Sequence, residues 1–131
     1  MTDFNIATMA QKAKKASRVA AQLNTSEKNT LLLAIANAIE INSDTIIQEN
    51  NKDIIAGREK GLTQAMLDRL VLDDKGIEGI SSAIREIAAL ADPIGDIDKL
   101  SLRPNGIQVG KMRIPLGVIA MIYEARPNVT A

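Results

Sequence analysis

The sequence predicts an α/β fold in which a helical layer precedes a buried strand of a parallel sheet, and three observations predict it. Through residue 93, apolar side chains recur at three- and four-residue spacing. Beyond Pro93 the pattern shifts to short runs punctuated by proline and glycine. Near the end, residues 118–123 form an uncharged run, Val-Ile-Ala-Met-Ile-Tyr, that empties into Glu124, Arg126, Pro127 and Asn128. A run of that length and composition reads as a strand covered on both faces, as in parallel sheets with helices above and below. Ligands of such sheets bind beyond the carboxyl ends of the strands, so the polar cluster stands where chemistry is expected.

The elements follow in order. A first helix is expected from about Asp3 to Leu23, with Ile6, Met9, Ala10, Ala13, Ser17 and Ala20 forming one stripe. Lys12, Lys14, Lys15 and Arg18 lie largely off that stripe and read as a solvated face rather than a phosphate or nucleic-acid patch. Thr25 or Ser26 caps a second helix, with Glu27 near its positive end and Leu31, Leu32, Ile35, Ala38 and Ile39 on its apolar face. Ser43 and Asp44 open a third, polar helix that ends near Lys60-Gly61, where glycine takes the left-handed conformation that stops helices. The Asn50-Asn51 pair within it reads as exposed. Thr63 caps a short helix carrying Met66, Leu67 and Leu70. Asp73 and Asp74 open a fifth, with Ile77, Ile80, Ile84, Ile87 and Ala91 in the cleanest stripe of the chain, stopped by Asp92-Pro93.

Residues 94–103 read as a connector, and Arg103-Pro-Asn-Gly106 as a turn. The following strand, residues 107–114, has a phase slip. Ile107 and Val109 alternate on odd positions, whereas Met112 and Ile114 are even. A bulge at Gly110-Lys111 explains the slip, as does a strand passing from one layer to another, including one that reaches a second subunit; a surface hairpin is the plainer alternative. The domain expectation is a helical part at 1–93, a connector and hairpin strand at 94–114, and a buried strand with a site loop at 115–131.

Composition removes whole classes of function. Sixteen basic residues balance sixteen acidic ones, so no net field draws the chain to nucleic acid or anionic lipid. Phe4 and Tyr123 are its aromatic residues, too few for base stacking. No segment approaches the ~20 apolar residues of a membrane span, and the amino terminus shows no secretory pattern, so a cytoplasmic protein is expected. The sequence contains neither cysteine nor histidine. Thiolate nucleophiles, imidazole bases and zinc sites of the Cys/His type are therefore excluded from it, and no metal site is expected.

What remains is the cluster beyond residue 123. Pro127 suits the first turn of a helix, whose free amides attract anions. Glu124 adds an acceptor, Arg126 a fork of donors and Asn128 an amide. Such a set suits a phosphorylated ligand or a developing oxyanion, and an ordinary capped turn is the competing reading.

The stretch from Arg103 to Thr130, above all Lys-Met-Arg-Ile-Pro-Leu-Gly-Val-Ile-Ala-Met-Ile-Tyr-Glu-Ala-Arg-Pro-Asn-Val-Thr at 111–130, resembles the gamma-glutamyl phosphate reductases of the aldehyde dehydrogenase superfamily. The resemblance covers the chain and corresponds to about the first third of such an enzyme. It implies an aldehyde dehydrogenase-like fold: a helical layer, an oligomerisation hairpin and the first strand of a Rossmann-type sheet. It also implies NADPH-dependent reduction of L-glutamyl 5-phosphate to L-glutamate 5-semialdehyde and phosphate, in proline synthesis, by a homo-oligomer. In that family a cysteine thiolate attacks the acyl phosphate; here no cysteine is present, so the chain alone is expected to be inactive. The loop after the first strand lines the nicotinamide pocket, which assigns Tyr123, Glu124, Ala125 and Arg126 to the NADP site. Asn128 takes the catalytic role of donating to the oxyanion, and Arg126 with Asn128 binds substrate. The superfamily loop reads Pro-Trp-Asn, and an ungapped match sets Arg126 at its asparagine, which keeps Arg126 as the alternative oxyanion donor. The competing function is a non-catalytic helical interaction or oligomerisation module.

Overall fold

The computed structural model describes residues 5–123 and 127–131. Its order is α1 (Ile6–Ala20), α2 (Thr25–Ile41), α3 (Ser43–Glu59), α4 (Gln64–Leu70), α5 (Asp74–Ala89), β1 (Ile97–Leu102), β2 (Gln108–Met112) and a 3-10 turn at Pro127–Val129. The chain divides into two compact units, one of residues 1–25 with 91–120, the other of residues 26–90 with 121–131.

In the first unit, α1 begins at Ile6, the first residue of its stripe, and Asn5 caps it: the Asn5 side chain accepts from the Thr8 amide at 3.1 Å. It buries none of its residues. Residues 94–103 are not the irregular connector expected from their punctuation. Residues 97–102 pair antiparallel with β2 as β1. The turn between the strands is the expected one: Gly106 sits at φ 83°, and the Arg103 amide donates to the Ile107 carbonyl at 2.8 Å. The bulge expected at Gly110-Lys111 is found in the opposite strand, and β2 itself alternates without interruption, so Val109 and Met112 lie on opposite faces of it. Asp98 pairs with Lys111 and Ser101 with Val109, so Lys99 and Leu100 together face Gly110 alone. That is a β-bulge, and its extra residue lies in β1, with Lys99 in the left-handed region at φ 53°. Gly110 is needed opposite it, since a Cβ would lie 3.0 Å from side-chain atoms of both Ile97 and Leu100. The bulge also hid β1 from the sequence reading, because it breaks the alternation of Ile97, Leu100 and Leu102.

The second unit is built on α3, which packs against both α4 and α5. Its core is small: Ala36, Ile54, Leu67, Ile77, Ile84 and Ala88 are the buried apolar side chains. Gly61 stops α3 at φ 77°, as expected. The helix α5 is capped by Asp73, whose carboxylate accepts from the Gly76 amide at 2.8 Å, but it ends at Ala89, before Asp92-Pro93. Arg85 ties α5 to α2, its Nη2 donating to Asn37 at 2.9 Å and to Glu40 at 2.7 Å.

One expectation about α3 is overturned. Asn50 is buried, not exposed. Its Nδ2 donates to the Leu70 carbonyl at 2.8 Å, and its Oδ1 accepts from the Leu72 amide at 2.8 Å. The Val71 amide still bonds to the Leu67 carbonyl, whereas the Leu70 carbonyl and the Leu72 amide lie past the end of α4's ladder, and Asn50 satisfies both. No single helix among the described residues is long and apolar enough to cross a membrane.

Candidate functional site

The run 118–123, read as a buried strand, takes no strand in this chain and is exposed throughout. The reason is physical. An apolar strand gains its hydrogen bonds and its cover from neighbouring strands and flanking helices, and the described residues offer it neither. Ile122 is fully exposed at 100%.

Beyond it the chain folds back on itself. The Tyr123 phenol and the Thr130 hydroxyl form a hydrogen bond. That bond joins two points seven residues apart, with the 3-10 turn of Pro127–Val129 between them. Glu124, Ala125 and Arg126, three of the candidate site residues, lie outside the described residues.

The two remaining candidates line different grooves of the second unit. Tyr123, with Thr130 and Ala131, borders a groove of ≈ 830 Å³ whose other walls include Ile46, Leu72 and Ile77. Its ionisable lining residues, Tyr123 apart, are Glu49 and Asp53, both acidic. Asn128 instead borders a groove of ≈ 680 Å³ along α5, where Arg69 is the charged residue. Leu72, Ile80 and Ala131 line both grooves, so the ridge between them joins the segment that Asn50 holds to α5.

The chemistry of these linings decides what they can hold. The acidic, largely apolar groove beside Tyr123 does not fit the pyrophosphate of a dinucleotide, which wants backbone amides or cationic side chains. An uncharged aromatic ring would fit its apolar wall. Asn50 is the polar residue of this region that sequence reasoning missed. A buried asparagine about three turns before a glycine stop has no signature of its own; the carbonyl and amide it serves are twenty and twenty-two residues further along the chain.

Comparison with known proteins is consistent along the whole chain. The sequence is 86% identical over 131 residues to the gamma-glutamyl phosphate reductase of Colwellia psychrerythraea, covering 100% of this chain and 31% of that protein. It is 50% identical over 127 residues to that of Moorella thermoacetica, covering 97% of this chain and 30% of the relative. The chain thus spans about 30% of the length of the curated relatives it matches. The fold matches the crystal structure of gamma-glutamyl phosphate reductase from Thermotoga maritima with a TM-score of 0.89 at 35% identity, over 92% of this chain and 29% of that one. The Saccharomyces cerevisiae enzyme gives 0.87 at 27% identity, over 94% and 31%. No family model matches the sequence. The resemblance read from residues 111–130 therefore holds: the chain is homologous to the amino-terminal part of gamma-glutamyl phosphate reductases, and its fold is the fold of that part.

Proposed function

We propose that this chain, as a homologue of the amino-terminal third of gamma-glutamyl phosphate reductases, supplies one wall of a site that reduces L-glutamyl 5-phosphate to L-glutamate 5-semialdehyde and phosphate in proline synthesis. The observation that carries the reading is the 86% identity to a protein of that name along all 131 residues. NADPH provides the hydride of the reaction. Because the described lining of the groove beside Tyr123 is acidic, the residues of that lining are given no part in holding the cofactor's phosphates. Its share is narrower: residues 123–126 border the nicotinamide, Arg126 pairs with the substrate's phosphate or carboxylate, and the Asn128 amide donates to the oxyanion. The nucleophile must come from outside these 131 residues, since the chain contains no cysteine. Cytoplasmic location and assembly into a homo-oligomer through the β1–β2 hairpin complete the reading. The hairpin supports it by exposing Ile97, Leu102, Val109 and Met112, since a two-stranded ribbon is marginal without cover. The absence of cysteine also favours a second reading, in which the chain is an interaction module without catalysis.

A chimera separates the two. This chain would replace the corresponding segment of the Colwellia reductase, and NADPH oxidation with L-glutamyl 5-phosphate would be followed. Retained turnover is expected, and a folded but inactive chimera would reject the enzymatic reading. Within an active chimera, Asn128→Ala should lower kcat by ~10²–10³, the effect of deleting one oxyanion donor. An unchanged kcat would move that role to Arg126.

A further inference from the structure

The turn between β1 and β2 carries a pair of residues whose chemistry the reductase reading does not use. Of the chain's nine asparagines, Asn105 is the one followed by glycine. The other eight precede residues whose Cβ stands beside the next backbone nitrogen. Asn29, Asn37, Asn50 and Asn51 also lie inside α2 and α3, where the helical ladder holds that nitrogen in place. Asn105 lies outside both strands and is exposed.

An asparagine carboxamide is open to attack by the backbone nitrogen of the residue after it. The attack closes a five-membered ring, and a glycine nitrogen is the least shielded nucleophile for it, because no Cβ stands alongside. The space beside Gly106 is open, since even an added Cβ would meet nothing within 4 Å. The turn supplies a second element. The Ile107 amide donates to Asn105 Oδ1 at 3.2 Å. Negative charge gathers on that oxygen as the nitrogen attacks Cγ, so a donor already stands where the oxyanion forms. Against this, the Gly106 amide donates to the Arg103 carbonyl at 2.9 Å, and that bond must open first. It closes an exposed turn of a two-stranded ribbon, where local opening costs least.

We propose that Asn105-Gly106 is a site of spontaneous deamidation, and that the reaction unlatches the hairpin tip. The Gly106 nitrogen bonds to Asn105 Cγ and the Cγ–Nδ2 bond breaks. The side-chain nitrogen leaves as ammonia, taking the proton that the Gly106 nitrogen gives up. Water then opens the cyclic imide at either carbonyl, leaving aspartate or isoaspartate at position 105. One water enters, one ammonia leaves, and nothing is oxidised or reduced. Each event adds a negative charge to a chain of zero formal net charge. Isoaspartate also carries the main chain through an extra methylene. That lengthens the path between the Arg103 amide and the Ile107 carbonyl, whose 2.8 Å bond closes the turn. This chemistry is independent of the reductase reading, and its test involves no turnover.

The purified 131-residue chain is aged at mildly alkaline pH and digested with trypsin, with an unaged sample as the baseline. Residues 100–111 come off as one peptide, since trypsin spares the Arg103–Pro104 bond, and Asn105 is the asparagine in it. The gain of about one dalton that marks an amide turned to acid should build up there roughly tenfold faster than at the other asparagines. An isoaspartyl methyltransferase should label the same peptide. Asn105→Ser should abolish both signals, and a mass gain that persists belongs to Gln108 and overturns the proposal. A rate at position 105 no higher than at the other eight asparagines also overturns it. So does aspartate as the sole product, because direct attack by water yields no isoaspartate. In the isoaspartyl form the Arg103 amide should exchange its hydrogen faster than in the fresh chain; equal exchange would overturn the unlatching.

Discussion

Asn50 shows how much one side chain governs in a small core. It spans the junction of α4 with the segment leading to α5, and that segment carries Leu72, which lines both grooves. Removing its amide leaves a carbonyl and an N–H without partners in a part-buried place. Asn50→Ala should therefore cost about 2–3 kcal/mol, read from urea unfolding, the sum of two unmade hydrogen bonds. A loss below ~0.5 kcal/mol would mean that water replaces both bonds. Glu40 gives a residue-scale prediction in pH. Ser81 and Arg85 hold its carboxyl below the ordinary value of 4.5, Ser81 contributing most, against an opposing push from burial. The Ser81 hydroxyl also reaches the Glu78 carbonyl at 3.0 Å, yet the direction stands on Arg85 as well, whose Nη2 lies 2.7 Å from Glu40 Oε2. A carboxylate with a lowered folded-state pKa stabilises the fold above the unfolded value, and that stability is lost as pH falls through the folded one. Relative to Glu40→Gln, the native chain should thus hold a constant advantage above pH 4.5 and lose it as pH falls from there through the lowered folded-state value. Parallel Tm–pH curves for the two proteins would contradict this.

At the scale of elements, glycines mark where backbones and side chains crowd, and they do so in opposite senses on two helices. On α3, a Cβ at Gly57 would lie 3.0 Å from Leu62 Cδ1 and 3.2 Å from Leu67 Cδ2. Helix propensity favours a larger residue there, but overpacking against the buried Leu67 outweighs it. Gly57→Val is expected to destabilise by ~1–3 kcal/mol in urea unfolding. No change would mean that the two leucines give way freely. On α5, a Cβ at Gly79 would meet nothing within 4 Å among the described residues. The hairpin shows the same economy. Its bulge places two residues of β1 against Gly110, and the narrowness of glycine makes that pairing possible.

For the molecule as a whole, the imbalance between core and surface is the governing fact. Among the described residues six apolar side chains are buried, whereas Ile119, Met121, Ile122 and Leu116 stand more than 60% exposed in one short stretch. An apolar run built for a sheet and left without neighbouring strands presents unpaired backbone and sticky faces. The purified chain should therefore sediment at masses above its 14.1 kDa and show no NADPH-dependent turnover. A clean monomer at ~50 μM with measurable reductase activity would refute both halves of that expectation.

The sequence by itself determined the five helices, their caps at Asp73 and Gly61, the turn at Asn105-Gly106 and the kinship of residues 111–130. Each depends on local rules: periodicity, capping chemistry, positive φ at glycine, or a specific run of residues. Only the tertiary structure decided what depends on neighbours distant in sequence. It placed the bulge in β1 rather than β2, because a ladder is a property of two strands. It buried Asn50, because the groups it serves come from another helix. It left 118–123 without a strand, because apolar composition makes a strand possible and only partners make one. Tyr123 and Asn128, neighbours in one polar cluster by sequence, line separate grooves because the turn at Pro127–Val129 directs them apart.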